Sequence, residues 1–362
     1  MARSLPRIGL VRRSHSGTGG DERYLARFAV TLKNRGYETV LFTSEAWPED
    51  KHFEKIIRLP DRGPIAFANA LAKADHRAYC DILFSFERVW ECDFYRAGDG
   101  VHQAWLDRVH AHDGPYRPST RGSGSKNAQL VKLENELFRP DSKSVIITSS
   151  EFVRHEILQY YGKASDQVHI IYNGYKPPAK KGDPRSEIRK KLGLDEMAMM
   201  ALFSGSGWER KGLAYAIKAA ALLQHEGVRL FVTGKGKHRG MPRGPVTYLD
   251  QVDEISQYYD AADLFILPTL YDPFSNACLE AACHGLPVIT TTANGFAELM
   301  VPSQHGEVVE NPADVEKLGE AMINWLGPEK RSKSRDEIRT WARGFSIKEN
   351  VDKTLDVILA GT

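Results

Sequence analysis

Short apolar runs alternate with amphipathic stretches of helical period along this chain, and the alternation confines it to α/β folds with mostly parallel sheets. In the first half the runs fall at Ile8–Val11, Thr39–Phe42, Asp81–Ser85, Ser144–Thr148 and Val168–Tyr172. Between the first two, Tyr24, Leu25, Phe28 and Leu32 share one face of a helix over Glu22–Asn34, with Gly36 placed to end it. The segment Tyr175–Pro184, rich in Lys, Pro and Gly, then reads as a linker. A second series follows at Met199–Ser204, Val228–Thr233, Leu264–Pro268 and Val288–Thr291, with helical stretches over Leu213–Leu223 and Asn276–Cys283. A length of 362 residues also favours two cores over one. The expectation is two Rossmann-like domains, residues 1–175 and 185–340. A terminal segment, 341–362, follows, whose amphipathic helix near Ile347–Leu359 packs back toward the first domain. Trp105–Lys126, with little periodicity, reads as a long loop.

Charge and cysteine content narrow the partners. A net charge of +2 supplies no global field for nucleic acid, so any basic surface is local. Cys80, Cys92, Cys278 and Cys283 form no CxxC pair and no zinc spacing with histidines, and read as buried thiols of a reducing compartment. The opening residues are too charged for a signal sequence, and no stretch reaches the about 20 apolar residues of a membrane span. A cytoplasmic protein, soluble or peripheral on the inner face of a membrane, is expected.

The strongest chemical signal runs from Tyr271 to Thr290, from the end of a buried strand through a loop into a helix closed by Gly285 and Pro287. Ser275 or Asn276 is placed to cap that helix. Its first-turn N–H groups and positive dipole end suit a diphosphate. Glu280, about one turn inside, can accept from two vicinal ribose hydroxyls. Asp272, ahead of the helix, can reach a sugar hydroxyl or a developing positive charge.

This segment resembles the acid-x7-acid signature of retaining glycosyltransferase family 4. The match extends through Pro273-Phe274 and the Leu279-Glu280-Ala281 and Gly285-Leu286-Pro287-Val288 portions. The resemblance implies a GT-B architecture, two Rossmann-like domains facing each other across a cleft. It also implies that Glu280 holds the donor ribose and that Asp272 acts near the reacting carbon, with Phe274, Ser275 and Asn276 in the donor loop. Asp272 stands where the family usually has Glu, one methylene longer.

Three further stretches extend the resemblance. In Phe203–Gly212, glycines precede the adjacent cations Arg210 and Lys211, a pairing suited to pyrophosphate. The family's upstream Arg is replaced by Ser206, so Arg210 is expected to substitute, and the wording is similar to that of lipopolysaccharide core glucosyltransferases. The loop Arg13–Arg23 carries Gly19 and Gly20, which allow close approach of backbone to a ligand and are similar to the family's donor-facing glycine loop. Its spacing is no dinucleotide fingerprint, since Glu22 occupies the position of the third glycine counted from Gly17. In Asp93–His102, Asp99 falls near a strand end, where α/β sites gather, with His102 as the second choice and a plain Asp-Gly turn as the alternative. By resemblance Asp99 faces the donor sugar. Glu134 and Gly295–Glu298 echo the family more weakly and read as scaffold.

What the resemblance implies about activity is hexosyl transfer with retention, from a nucleotide-diphosphate sugar, UDP-glucose favoured, to a glycan or glycolipid such as a lipopolysaccharide core. No Asp-x-Asp motif is present, so no metal and no further cofactor is expected, and cations stabilise the leaving diphosphate. Trp105, Arg108, Tyr116, Arg117, Arg121, Lys126 and Lys132 suit an anionic bilayer surface over Trp105–Lys132. A nucleotide-sugar epimerase or phosphorylase, or a non-catalytic nucleotide-sugar-binding protein, are the rival readings.

Overall fold

The computed structural model describes residues 5–15, 20–45, 47–112, 124–179, 182–195, 198–237 and 240–360; of Gly20, Asp21 and Arg23 it describes only the backbone. In chain order the first half contains β1 (Ile8–Val11), α1 (Gly20–Asn34), β2 (Thr39–Ser44), β3 (Lys55–Leu59), α2 (Pro64–Lys73), β4 (Ile82–Ser85), β5 (Phe94–Arg96), α3 (His102–Ala111), α4 (Gly124–Phe138), β6 (Val145–Thr148), α5 (Glu151–Tyr161) and β7 (Val168–Ile170). The second contains α6 (Pro184–Lys191), β8 (Met199–Ser204), α7 (Leu213–Leu222), β9 (Val228–Thr233), β10 (Val246–Asp250), α8 (Ile255–Ala261), β11 (Leu264–Leu267), α9 (Asn276–Cys283), β12 (Val288–Thr291), β13 (Gly306–Val309), α10 (Val315–Ile323), α11 (Pro328–Arg343) and α12 (Ile347–Ala360).

The described strands form two all-parallel sheets, in the orders β3-β2-β1-β4-β5-β6-β7 and β10-β9-β8-β11-β12-β13. Each contains the 3-2-1-4-5-6 order of doubly wound folds, in which ligands gather beyond the strand C-termini where the order reverses. In the first sheet that point lies between β1 and β4, and in the second between β8 and β11. The two Rossmann-like folds expected from the alternation of elements are therefore both present. Central strands such as β1, Ile-Gly-Leu-Val, and β11, Leu-Phe-Ile-Leu, are buried along their whole length, because helices cover both faces of a parallel sheet.

The chain divides into two compact units. One comprises Met1–Leu106, Ser119–Tyr172 and Lys348–Thr362; the other comprises Asp107–Pro118 and Asn173–Ile347. In the first unit, α12 lies beside α1, with Tyr24 Oη donating to Asn350 Oδ1 at 2.6 Å and Asn350 Nδ2 donating to the Tyr172 carbonyl at 2.6 Å.

The expectation of a loop over Trp105–Lys126 is corrected at both ends, which are helical in α3 and α4, while residues 113–123 lie outside the described part. The helix that the periodicity missed is held from outside itself. Glu134 of α4, wholly buried, accepts from the N–H groups of His102 and Gln103 at 2.7 and 3.1 Å, so a carboxylate caps the start of α3. The same carboxylate accepts from Arg88 Nε at 2.9 Å and from the Tyr161 hydroxyl at 2.6 Å. A capping group supplied thirty-odd residues away leaves no local signal in the α3 sequence.

Candidate active site

The site grows from the C-terminal ends of β8 and β11. Beyond β8 the chain passes through Gly205, with φ +148°, where a Cβ would lie 2.8 Å from Lys211 Cδ; glycine there lets the lysine stem lie across the backbone. The loop ends at Gly212, with φ +72°, where a Cβ would stand 1.9 Å from the Pro268 carbonyl oxygen. The loop is thereby pressed onto the end of β11. Two bonds fix it there: the Arg210 carbonyl accepts from Leu270 N at 2.9 Å and from Thr269 Oγ1 at 3.1 Å.

This docking carries the side chains of Arg210 and Lys211 to Asp272. Lys211 Nζ donates to Asp272 Oδ2 at 3.2 Å, and Arg210 Nη1 stands 3.9 Å from the same oxygen while donating to the Tyr271 carbonyl at 2.5 Å. Lys211 and Asp272 side chains are only 13% and 8% exposed, so the pair interacts in a medium that screens charge far less than water. Two cations on one carboxylate leave net positive charge, which suits an anionic ligand.

Asp272 is set by its backbone, which donates to the Ala293 carbonyl at 2.8 Å and accepts from Gly295 N at 3.0 Å. Three residues on, Ser275 caps α9, its side chain accepting from Cys278 N at 3.4 Å, and Ser275 N donates to Asn294 Oδ1 at 3.1 Å. Asn294 Nδ2 in turn donates to Thr290 Oγ1 at 2.9 Å, tying the α9 entry loop to β12. The first turn of α9 carries the positive end of the helix dipole, and its Cys278 and Leu279 N–H groups close on the Ser275 carbonyl at 3.1 and 3.3 Å. Asn276, the first residue of α9, accepts at Oδ1 from Asn173 Nδ2 at 2.8 Å. Phe274 is buried edge-on against Phe296, ring centroids 5.7 Å apart, and wedges the loop in place. Glu280 lies on the first turns of α9, nearly buried, and accepts from the Tyr259 hydroxyl at 3.2 Å. Burial, reinforced by the Glu280 charge, pushes the Tyr259 phenol well above its ordinary value, so it stays a donor.

Of the residues singled out in the sequence, Arg210, Lys211, Asp272, Phe274, Ser275, Asn276 and Glu280 thus lie together in the second unit. Gly20 and Asp99 belong to the first. Gly20 opens α1 beyond β1, and Gly19 lies outside the described residues. Asp99 follows β5, half-exposed, its Oδ2 3.8 Å from Arg88 Nη1. His102 is held by Asn127 Oδ1 at 3.1 Å, and burial lowers its pKa. Tyr259 and Asn294 escaped the sequence reading, because neither stands in the matched segment and each acts through a residue that does. The cysteines are free thiols, and burial pushes Cys80 to about 11 and Cys278 to about 12, which keeps both protonated. Among the described residues no three His, Cys, Asp or Glu side chains form a metal-holding group, and no helix is long and apolar enough to cross a membrane.

Residues 199–327, the stretch that builds this site, match the family model described as Glycosyl transferases group 1. The lipopolysaccharide glucosyltransferase WaaG of Escherichia coli is 25% identical over 372 residues, covering 95% of this chain and 96% of its own length. The crystal structure of WaaG, a glycosyltransferase involved in lipopolysaccharide biosynthesis, superimposes with a TM-score of 0.81 at 23% identity, over 97% of this chain and 99% of that one. Anabaena Alr3699/HepE in complex with UDP-glucose gives a TM-score of 0.72 at 16% identity, over 98% and 100% of the two chains. By its paired parallel sheets and this domain, the chain is a glycosyltransferase of the GT-B fold, with residues 199–327 forming its group 1 domain.

Proposed function

We propose that the protein transfers a hexosyl group, with retention, from a nucleoside-diphosphate sugar, UDP-glucose favoured, to a glycan or glycolipid acceptor such as a lipopolysaccharide core. The observation that carries this reading is the Lys211–Asp272 contact of 3.2 Å beside Arg210, between the ends of β8 and β11 and ahead of the α9 N-terminus. In this reading the donor diphosphate lies against Arg210, Lys211 and the first turn of α9, and Glu280 accepts from the ribose hydroxyls. Gly19, Gly20 and Asp99 serve the same donor from the first domain, taken as 1–175, while 185–340 binds the nucleotide.

As the glycosidic bond to the diphosphate lengthens, negative charge grows on the leaving oxygen and positive charge on the sugar carbon. Arg210 and Lys211 stabilise the first and the Asp272 carboxylate the second. The acceptor hydroxyl attacks from the face that the diphosphate leaves, and its proton passes to a phosphate oxygen, so no protein base takes part. The cations do the work a divalent metal does elsewhere. UDP-glucose as donor is supported by the similarity to a named glucosyltransferase and to a structure holding UDP-glucose.

The test is a transfer assay with a panel of nucleotide sugars and phosphorylated or lipid-linked oligosaccharides, with and without a chelator. Transfer with inverted anomeric configuration, or activity abolished by chelation, contradicts the reading. Donor binding without transfer or hydrolysis favours a non-catalytic protein instead. Peripheral attachment to an anionic bilayer through Trp105–Lys132 is a part of the same proposal. Its described residues supply Trp105, Arg108, Lys126 and Lys132, with the two lysines exposed, while Tyr116, Arg117 and Arg121 lie outside the described part. Co-sedimentation with phosphatidylglycerol vesicles is expected, and equal failure on anionic and neutral vesicles removes it.

A further inference from the structure

The hydroxyl behind Glu280 has no part in the reading above, although it touches the carboxylate on which nucleoside recognition depends. Tyr259, on α8, is wholly buried and donates to Glu280 Oε2 at 3.2 Å. Its ring is gripped on two sides, by Phe265 of β11 at 5.9 Å and by His284 at 5.5 Å between centroids. His284 is itself fixed, with Nδ1 3.0 Å from Asp260 Oδ1. Ser204, the last residue of β8, interacts through its side chain with the phenol. Ser204 Oγ also accepts from Thr233 Oγ1, at the end of β9, at 3.0 Å. The phenol therefore cannot swing away, and hydroxyls from the ends of two strands stand behind it.

We infer that Tyr259 is a positioning residue that sets the Glu280 carboxylate for a vicinal diol, and so makes the site selective for ribonucleotide over deoxyribonucleotide donors. The inference rests on the assignment of Glu280 to the donor ribose. A carboxylate on a helix has two soft torsions next to its oxygens, and accepting from two adjacent hydroxyls at once demands one orientation of its plane. A donor fixed in the core removes that freedom before the ligand arrives, and a hydrogen bond to a charged group inside a poorly screened site is of the strong kind. A ligand with one hydroxyl can follow a rotated carboxylate; a ligand with two cannot. Loss of the phenol hydroxyl is thus felt by the diol and not by its deoxy analogue. A merely structural tyrosine would move both equally.

Calorimetric titration with UDP and 2′-deoxy-UDP, and with ADP and 2′-deoxy-ADP, tests this on the full chain. The wild type is expected to bind the better ribonucleotide about tenfold more tightly than its deoxy partner. Tyr259→Phe, which keeps the ring in its grip, is expected to cut that ratio to about two- or threefold while the deoxy nucleotide binds as before. Unchanged deoxy affinity also certifies that the variant is folded. A Tyr259→Phe protein that keeps the full ratio, or that loses both affinities in parallel, overturns the inference. Glu280→Gln separates the two levels. If it erases the ratio and Tyr259→Phe does not, the ribose assignment stands and the positioning role falls. If Glu280→Gln leaves the ratio intact, or the wild type binds none of the four nucleotides, both fall together.

Discussion

At the scale of single residues the site is a problem in placing charge. Lys211 and Arg210 share the Asp272 carboxylate at 3.2 and 3.9 Å, so removal of either cation leaves the other within reach of the anion. Lys211→Ala is therefore expected to cost about 1 kcal/mol of folding stability, well short of the penalty for a buried charge stripped of every partner. Its effect on turnover is of another order. A preorganised cation facing a departing diphosphate contributes roughly two to three powers of ten to the rate. Steady-state kinetics beside thermal unfolding checks both; a variant with wild-type kcat removes Lys211 from the chemistry. These residues were legible because a strand end, a glycine pair and two cations follow one another within ten residues, and Asp272 and Glu280 stand at a fixed spacing across the start of the next helix. Tyr259 and Asn294 were not legible. Each sits in another element and acts through a contact, Tyr259 on Glu280 and Asn294 on Ser275, that only folding creates. Gly212 is fixed by packing, since a Cβ there would stand 1.9 Å from the Pro268 carbonyl oxygen.

At the scale of elements, most central strands were readable, as was β7 at one edge, while the edge strands β3, β10 and β13 were not. β1, β8, β9, β11 and β12 announce themselves because strands covered on both faces are apolar throughout or nearly so. The edge strands β3 and β10 read Lys-Ile-Ile-Arg-Leu and Val-Thr-Tyr-Leu-Asp, half-exposed, with no continuous apolar run. β5 is central but only three residues long, too short for any period to show. The helices are joined by a device the sequence also hides. Asp263, just before β11, accepts from Arg185 Nη2 of α6 at 2.7 Å, Arg189 Nη1 at 3.0 Å and Met200 N of β8 at 2.8 Å. Arg331 of α11 stands 4.0 Å away, and Arg335 donates to the Ala262 carbonyl beside it at 2.9 Å. Burial alone would raise this carboxyl, but Arg185, the Met200 N–H and Arg189 outweigh it and hold Asp263 below the ordinary carboxylate value. A carboxyl depressed in the folded state stabilises fully above its unfolded pKa, and that share is lost as pH falls through the folded one. Asp263→Asn is accordingly expected to cost roughly 3 kcal/mol at neutral pH, because it strands buried guanidinium charge. The gap between variant and wild type should narrow only below about pH 4, where the carboxyl of the unfolded wild-type chain begins to take up its proton, and close as pH falls through the lower folded value. Urea unfolding of both proteins across that range is the measurement, and a gap already closing between pH 7 and pH 5 contradicts the assignment.

At the scale of the whole molecule, two sheets with the same reversal of strand order come from one chain, yet the units are not simply its two halves. α12, the last helix in sequence, is counted with the first unit. Its hold is apolar and specific at once. Val351, Leu355 and Ile358 are buried along one face, while Asn350 bridges the Tyr24 hydroxyl of α1 and the Tyr172 carbonyl beyond β7. Arg35, following α1, pairs with Asp352 of the same helix. Burying three aliphatic side chains contributes roughly 5 kcal/mol, comparable to the whole stability of a modest domain. The second unit has its own sheet and keeps every residue of the candidate donor loop between β8 and α9 without this helix. A chain ended after Ser346 should therefore lose the two units unequally. Hydrogen exchange is expected to quicken by orders of magnitude in α1 and in the strands beside it, while β8, β9, β11 and β12 stay protected and nucleotide still binds the second unit. Uniform loss of protection across both sheets would mean that the units unfold as one, and that α12 stabilises the molecule rather than the domain it rejoins.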